Sequence, residues 1–174
     1  MSHAERPFRP LNIAILTVSD SRTEENDTSG KTLVDRLTAA GHQLADKQIM
    51  IDDIYQIRAV LSRWIADEAV QVVITTGGTG VTGRDGTPEA VTVLFDKTLE
   101  GFGELFRAIS FEEIGTSTVQ SRAVAGVANG TYIFSVPGST GACRTAWDKV
   151  IETQLDIRTR PCNFAEMMPR LLEK

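Results

Sequence analysis

Hydrophobic positions along the chain fall into two patterns. Residues 11–18 (LNIAILTV), 72–74 and 132–136 are apolar at nearly every position, which is typical of strands covered on both faces. Between them apolar residues recur every three or four positions, which indicates amphipathic helices. These helical positions are Leu33, Val34, Leu37 and Ala40, then Ile54, Ile57, Leu61, Trp64 and Ile65.

Alternating strands and helices predict a three-layer α/β/α fold with a mostly parallel sheet. A hairpin around Asn129 and Gly130, joining strands at about 123–127 and 131–136, makes the predicted sheet mixed. A helix is expected to begin near Thr87, with that hydroxyl as its cap, and another over residues 102–109. A further helix is expected after Ser139.

Chain length and composition indicate one ordinary globular domain. The chain has 174 residues, of which 41% are hydrophobic and 24% charged. We divide it into an N-terminal extension (1–10), the α/β domain (11–157) and a C-terminal tail (158–174). Asn163 is expected to cap a short helix in that tail.

Charge and hydropathy exclude several classes of protein. The net charge of -5, with Lys and Arg scattered singly, argues against a general nucleic-acid binder. No apolar run approaches the roughly 20 residues that cross a bilayer, and the polar start shows no signal segment, so a cytoplasmic location is expected. Cys143 and Cys162 lack any ligand spacing with each other or with the histidines. We predict no zinc site and assign neither cysteine a role.

The loops that follow the predicted interior strands carry the candidate chemistry, because ligands of such sheets gather at the carboxyl ends of the strands. The first loop is polar and leads into a helix, where Ser19, Asp27 and Ser29 could hold a phosphate. Asp27 or Ser29 could equally serve only as the helix cap. In the third loop Pro137, Gly138 and Ser139 also precede a helix, and Ser139 could be cap, ligand contact or both.

The second loop, residues 75–86 (TTGGTGVTGRDG), is long for a simple connection. Its backbone amides and threonine hydroxyls suit a phosphate or a heterocycle. The alternative is that its glycines only make a tight turn. Residues 78–83 match the dinucleotide pattern GxGxxG, but no helix opens inside the motif, and no P-loop lysine follows. The candidate binding residues are Thr76, Gly77, Gly78, Thr79 and Gly80.

Two acidic positions lie at element ends and could share a Mg²⁺ ion. Asp52 follows a strand-like run, and Asp85 lies in the glycine-rich loop. For Asp52 a helix cap is the alternative. For Asp85 the alternatives are an ion pair with Arg84 or a turn hydrogen bond. Glu104 and Arg107, three positions apart, are expected to form a surface ion pair, with a role in ligand binding as the alternative.

The ordered motifs TTGGTG, RDGTPEA, GFGELFRAIS, SRAVAGV and PGS resemble the MoaB/MogA family, whose fold is shared by the G domain of gephyrin. The resemblance covers residues 11–157 and is closest to the MoaB branch. It implies a molybdopterin-binding fold, and Mg-ATP-dependent transfer of AMP to the terminal phosphate of molybdopterin with release of pyrophosphate. In that reaction Asp52 and Asp85 would serve metal and catalysis. It also implies a homotrimer or homohexamer.

The chain departs from the adenylyltransferase branch at two places. Thr140 and Gly141 stand where that branch has Pro and Lys, and Ile51 replaces a proline before the first aspartate. Three hypotheses follow: a molybdopterin adenylyltransferase, a non-catalytic molybdopterin-binding or carrier protein, and, remotely, a dinucleotide-binding oxidoreductase that rests on GxGxxG alone.

Overall fold

A mixed sheet of six strands forms the middle layer of the computed structural model, which describes residues 6–173. Its strands are β1 (Asn12–Val18), β2 (Gln43–Met50), β3 (Val72–Thr76), β4 (Lys97–Thr98), β5 (Val124–Ala128) and β6 (Thr131–Val136). Their order is β2-β1-β3-β6-β5-β4. The first four in this order are parallel. Strand β5 pairs antiparallel with β6, and β4, at the edge of the sheet, pairs antiparallel with β5. The predicted mostly parallel, mixed sheet is confirmed.

Helices cover both faces of the sheet. They are α1 (Thr28–Ala39), α2 (Ile54–Ala66), α3 (Thr87–Thr92), α4 (Glu100–Ile114), α5 (Thr140–Ala146), α6 (Glu152–Leu155) and α7 (Phe164–Met167). A π-helical turn, Trp147–Ile151, joins α5 to α6, and a 3₁₀ segment, Gly115–Gln120, follows α4. Helix α4 extends beyond the predicted residues 102–109 at both ends. Within residues 6–173 no helix has the length and apolar character needed to cross a membrane.

Each central strand contributes to two hydrophobic cores because successive side chains point to opposite faces. Ile13 and Ile15 of β1 face the core that contains side chains of α1, α4, α5 and α6. Leu16 and Val18 face the core that contains side chains of α2 and α3. Full burial of one such side chain contributes about 1.5–3 kcal/mol. The nearly continuous apolar runs are therefore explained by burial on both sides.

The C-terminal tail packs against the first of these cores. The Phe164 ring stacks on Tyr132 with centroids 4.7 Å apart, and Ala165 is buried. The predicted Asn163 cap is present, since its side chain accepts a hydrogen bond from the Glu166 amide at 2.7 Å. Arg6 pairs with Glu166 at 2.7 Å, so the chain's two terminal regions meet. Residues 1–5 of the predicted extension lie outside the described residues.

Two local predictions are wrong. Gly86, not Thr87, is the residue before α3, and the Thr87 hydroxyl instead donates to the Gly77 carbonyl at 2.9 Å. Arg107 does not pair with Glu104 but donates to the Ala123 carbonyl at 3.0 Å. In both cases a side chain satisfies a backbone carbonyl outside its own helix. For Arg107 this contact is favoured over an exposed ion pair, which adds little stability.

His42 joins the start of the chain to the core. Its buried ring lies 5.2 Å from Phe8 and 6.2 Å from Trp147, between ring centroids. Its Nδ1 accepts a hydrogen bond from the Leu11 amide at 3.2 Å, which requires that nitrogen to be unprotonated. Burial lowers the pKa of His42, an effect that the nearby Asp156 carboxylate partly opposes.

A stability change with pH follows from this lowered pKa. The unfolded chain takes up a proton on His42 at a higher pH than the folded protein does. The free energy of unfolding is therefore highest above the ordinary pKa of about 6.5 and decreases as the pH drops below that value. In urea unfolding, we expect the loss between about pH 7 and about pH 5 to be smaller in His42→Gln than in the wild type. Gln keeps an acceptor for the Leu11 amide without a titrating group. Equal losses in both proteins would contradict this role.

Candidate functional site

The ends of β1, β3 and β6 lie side by side, because Thr76 is in register with both Thr17 and Val136. The three loops that follow these strands form the walls of a cavity of about 520 Å³. Asp85 lines this cavity, as does every loop residue that the sequence nominated for binding pterin or nucleotide. Those loop residues are Ser19, Asp27, Ser29, Thr76, Gly77, Gly78, Thr79, Gly80, Pro137, Gly138 and Ser139.

Close contacts explain the paired glycines of the second loop. Gly77 has a φ of +101°, and a Cβ there would lie 2.1 Å from the Val18 carbonyl oxygen. Gly78 has a φ of +66°, and a Cβ there would lie 2.3 Å from an Asp52 carboxylate oxygen. Other residues would be strained in both positions. The Gly77 amide donates to the Val136 carbonyl at 3.0 Å and so joins the second loop to β6.

Asp27 is both a cavity residue and the cap of α1. Its Oδ1 accepts from the Gly30 amide at 2.9 Å, and its Oδ2 accepts from the Thr17 hydroxyl at 2.8 Å. The ammonium of Lys47 lies 3.1 Å from the same Oδ2. Asp27 is only 4% exposed, so Lys47 balances a buried charge. The first loop therefore presents little net negative charge to the cavity at this point.

Hydroxyl groups join the first loop to the third. Ser29 is not the helix cap; its hydroxyl donates to the Gly138 carbonyl at 2.7 Å. Ser139 caps α5 by accepting from the Ala142 amide at 3.1 Å. The Thr28 and Thr140 hydroxyls lie 3.0 Å apart, so the starts of α1 and α5 are adjacent. Free amides at helix starts favour an anion on this side of the cavity.

Asp85 makes the turn hydrogen bonds that were one of its two alternatives. Its Oδ2 accepts from the Thr82 amide at 2.8 Å and from the Thr82 hydroxyl at 2.7 Å. Arg84 pairs instead with Asp20, at 2.7 Å. The hydrogen bond from the Thr82 hydroxyl lowers the pKa of Asp85, which keeps the carboxylate charged at the cavity edge.

Asp52 lies behind the glycine-rich loop and does not line the cavity itself. Asp52 is not the helix cap. Its neighbour Asp53 caps α2 by accepting a hydrogen bond from the Gln56 amide at 2.8 Å. Asp52 accepts from the Gly86 amide at 3.1 Å, next to Asp85. Burial raises the pKa of Asp52, and the Asp85 carboxylate raises it further. The two acids thus lie at the same end of the loop, close enough to repel each other.

The donor chemistry of this end suits Mg²⁺. Within residues 6–173 no cluster of three or more His, Cys, Asp or Glu side chains could hold a metal ion. Two carboxylates without further protein ligands are what Mg²⁺ usually needs, since it keeps waters and binds substrate phosphates. A cation there would also offset the repulsion between Asp52 and Asp85.

Sequence reasoning missed one wall of the cavity and its cation. The missed wall comes from α4 and the 3₁₀ segment after it. Arg22 of the first loop is the one Lys or Arg among the lining residues of the described chain. The sequence of α4 carried no signal for the wall, since its inward side chains look like ordinary core residues. The wall consists of Phe106, Ser110, Ile114, Ser117, Gln120 and Ser121.

Cys143 lies buried beneath the third loop. Its Sγ is 3.2 Å from the Thr76 hydroxyl, and burial raises the pKa of its thiol to about 11. A neutral thiol in this position packs and does not act as a nucleophile. Cys162 is exposed in the tail, away from the cavity.

Arg122 holds the glycine-rich loop from outside the cavity. Its Nε donates to the Gly80 carbonyl at 2.7 Å, and its Nη2 donates to the Asp85 carbonyl at 3.0 Å. Its Nη1 pairs with Glu89 of α3, and its backbone amide donates to the Thr79 carbonyl at 3.2 Å. One guanidinium thus joins the loop, α3 and the start of β5. Only an arginine offers this many donors in a fixed plane.

Comparison with known proteins gives one consistent result. A family model described as a probable molybdopterin binding domain matches residues 14–156. Molybdenum cofactor biosynthesis protein B of Escherichia coli (strain K12) is 62% identical over 164 residues, which cover 94% of this chain and 96% of that protein.

Solved structures agree with the sequence relatives. A crystal structure of molybdenum cofactor biosynthesis protein B superposes with a TM-score of 0.87 at 40% identity, covering 97% of this chain and 100% of that one. The tungsten cofactor synthesizing protein MoaB from Pyrococcus furiosus superposes with a TM-score of 0.77 at 37% identity, covering 84% and 93%. The chain thus spans nearly the full length of each.

The Arg122 contacts predict a local loss of order on substitution. In Arg122→Ala, we expect backbone amides of residues 79–85 to exchange with solvent at least about tenfold faster, because the loop loses two charged hydrogen bonds. Hydrogen exchange read by mass spectrometry measures this. Arg58→Ala is the matched control, because Arg58 donates to the Glu89 and Ala90 carbonyls of the same helix without touching the loop. Equal acceleration in both variants would contradict the assignment.

Proposed function

The chain belongs to the molybdopterin-binding domain family of molybdenum cofactor biosynthesis, and we propose that it binds molybdopterin in the cavity and adenylylates it with Mg-ATP. The observation that carries this proposal is the convergence of three loops of different chemistry on one cavity. Two helix starts and Arg22 offer hydrogen bonds and positive charge to a phosphate. Asp52 and Asp85, at the far end of the glycine-rich loop, offer carboxylates to a metal ion.

In the proposed reaction, an oxygen of the pterin's terminal phosphate attacks the α-phosphorus of ATP. The bond from that phosphorus to the bridging oxygen of the β-phosphate breaks, and pyrophosphate leaves with the electron pair. Mg²⁺, held by Asp52 and Asp85, would supply charge neutralisation at the ATP phosphates. Loop amides and hydroxyls hold both phosphates in line, and Arg22 balances negative charge on the acceptor.

The chain's own residues need to supply no nucleophile. Cys143 is neutral and buried, and the Ser29 and Ser139 hydroxyls are engaged in hydrogen bonds within the fold. Direct transfer between two bound substrates is the reaction that fits such a site. These residues position the two substrates and stabilise the charge that develops during transfer.

A second candidate function is binding or carriage of molybdopterin without turnover. The observation that favours it is the shortage of positive charge in the cavity. Gly141, the second residue of α5, supplies no cationic side chain, and Arg22 is the one lining cation within residues 6–173. The dinucleotide-binding alternative has no comparable support, because α3 begins at Thr87, after the GxGxxG match at residues 78–83. A homotrimer or homohexamer stays a prediction from the resemblance.

Substitution of the acids separates turnover from binding. With molybdopterin, ATP and Mg²⁺, we expect the wild type to release pyrophosphate, and Asp85→Asn or Asp52→Asn to lower the rate at least about a hundredfold. Molybdopterin affinity should change little. Asp53→Asn is the matched control, since Asn also caps a helix and Asp53 lies outside the site. A wild type that binds the pterin but forms no adenylylated product would establish the carrier function instead.

Gly141 offers a gain-of-function test. Apart from its chain neighbours and the backbone of its own helix, no heavy atom of residues 6–173 lies within 4 Å of where a Cβ would stand. A long side chain can therefore be added without a clash. In Gly141→Lys we expect molybdopterin to bind about three- to tenfold more tightly at low salt, with the gain falling as salt rises. Gly141→Gln, similar in length and uncharged, is the control. Equal affinities of the two variants would show that charge at this position is not limiting.

A further inference from the structure

Asp20, in the first loop, accepts hydrogen bonds from two other segments of the chain. Its Oδ2 accepts from the Arg84 Nε at 2.9 Å, and its Oδ1 accepts from the Arg84 Nη2 at 2.7 Å. The same Oδ1 accepts from the Asp52 backbone amide at 3.1 Å. Asp20 therefore joins the first loop to the glycine-rich loop, 64 positions along the chain, and to the segment before α2.

These segments meet at the metal end of the glycine-rich loop, which is defined by Asp52 and Asp85. Asp20 binds the backbone of Asp52 directly, and Arg84 immediately precedes Asp85. Burial raises the pKa of Asp52; the charges of Asp85 and Asp20 add to this rise, and the charge of Arg84 opposes it. Asp20 and Arg84 thus lie close enough to act on the metal end by charge as well as by contact.

The outer part of the glycine-rich loop has few packing contacts to hold it. Val81 is 67% exposed. Apart from the chain neighbours of Gly83, no heavy atom of residues 6–173 lies within 4 Å of where a Cβ at that position would stand. The like charges of Asp52 and Asp85 also push the loop away from the segment before α2. Polar contacts must therefore hold this part of the loop in place.

We propose that Asp20 and Arg84 are positioning residues of the metal end: their ion pair holds the glycine-rich loop so that Asp85 stays beside Asp52. This inference rests on the proposed function and adds to it two residues that act through the proposed metal ligands. Arg122 joins the loop to α3 and to the start of β5. The Asp20–Arg84 pair joins the loop to the first loop, so the two arginines hold it to different parts of the fold.

The geometry of the pair suits this role. Two nitrogens of one planar guanidinium donate to the two oxygens of one carboxylate, which fixes direction as well as distance. Isolated exposed ion pairs contribute little, but bidentate pairs and networks are the exceptions. The Asp52 amide makes this pair part of a network, because it donates to the same Asp20 oxygen as Arg84 does.

Two other roles for these residues predict different effects of substitution. If Asp20 bound the metal ion itself, Arg84 would compete with the metal, and removal of the Arg84 charge would strengthen binding. If Arg84 bound the nucleotide itself, its release from Asp20 would leave nucleotide binding unchanged or strengthen it. A positioning pair predicts instead that loss of either member weakens binding by the same factor.

Substitution of the two residues, singly and together, tests the proposal on the full-length protein. The probe is the Mn²⁺ complex of α,β-methylene-ATP, in which AMP transfer is blocked, and the water-proton relaxation rate measures its binding. We expect the dissociation constant to rise about three- to fivefold in Arg84→Gln and in Asp20→Asn, and no further in the double variant. Asn keeps an oxygen that can accept from the Asp52 amide, so Asp20→Asn removes only the ion pair.

Two further variants separate geometry from charge. Arg84→Lys keeps the positive charge but cannot donate two hydrogen bonds in a fixed plane, so it should bind the probe less tightly than the wild type and more tightly than Arg84→Gln. Arg36→Gln is the matched control, because Arg36 and Asp148 form another bidentate pair, between segments 112 positions apart. Arg36 lies on α1 and does not line the cavity, so this variant should keep wild-type affinity.

The ligand-free protein provides a second measurement that does not depend on the metal. In Arg84→Gln, the amides of residues 81–86 should exchange with solvent at least about threefold faster, because the loop loses its attachment to the first loop. Arg36→Gln should leave exchange in these residues unchanged. The melting temperature of Arg84→Gln should stay close to that of the wild type, because the pair is exposed.

The possible failures are distinguishable. If the wild type does not bind the Mn²⁺ complex, the proposed function fails, and the inference fails with it. If the wild type binds the complex and Arg84→Gln binds it equally or more tightly, only the positioning role is overturned. Opposite effects of the two single variants, or an additive loss in the double variant, would also overturn that role. So would unchanged amide exchange in residues 81–86 of Arg84→Gln.

Discussion

The parallel register of β1, β3 and β6 is the constraint on which the rest of the structure depends. Thr76 lies opposite both Thr17 and Val136, so three loops leave the sheet at the same edge and at the same height. Close packing on both faces holds this register, because a slip of one residue would exchange the side chains that fill the two cores. Without it, loops that are far apart in sequence would not share a cavity.

Charged residues outside the cavity determine how charge is distributed within it. Lys47 balances the buried carboxylate of Asp27, which would otherwise repel a phosphate near the start of α1. Asp52 and Asp85 lie at the other end of the glycine-rich loop, where burial and, to a smaller extent, repulsion by Asp85 raise the pKa of Asp52. An anion is therefore favoured at one end and a cation at the other. A nucleotide with its metal ion and a phosphorylated pterin are ligands that match this arrangement.

Much of the fold, and the place of the three loops in it, could be predicted because the signals are local. Continuous apolar runs, the Asn129-Gly130 hairpin and the cap at Asn163 each depend on a few neighbouring residues. The errors arose where a backbone carbonyl outside the helix became the partner of a helical side chain. Thr87 was expected to cap α3, but the Gly77 carbonyl takes its hydroxyl. Arg107 was expected to pair along its own helix, but the Ala123 carbonyl takes its guanidinium.

The sequence by itself determines the strands, the helices and the polar loops at their ends. It also determines the glycines that let one loop lie close to Val18 and Asp52. Only the tertiary structure decided which of these groups meet. The contact of Ser29 with Gly138 spans 109 positions, and that of Arg122 with Gly80 spans 42. Backbone propensities act over one or two turns, whereas contacts between distant segments require the packed core that brings them together.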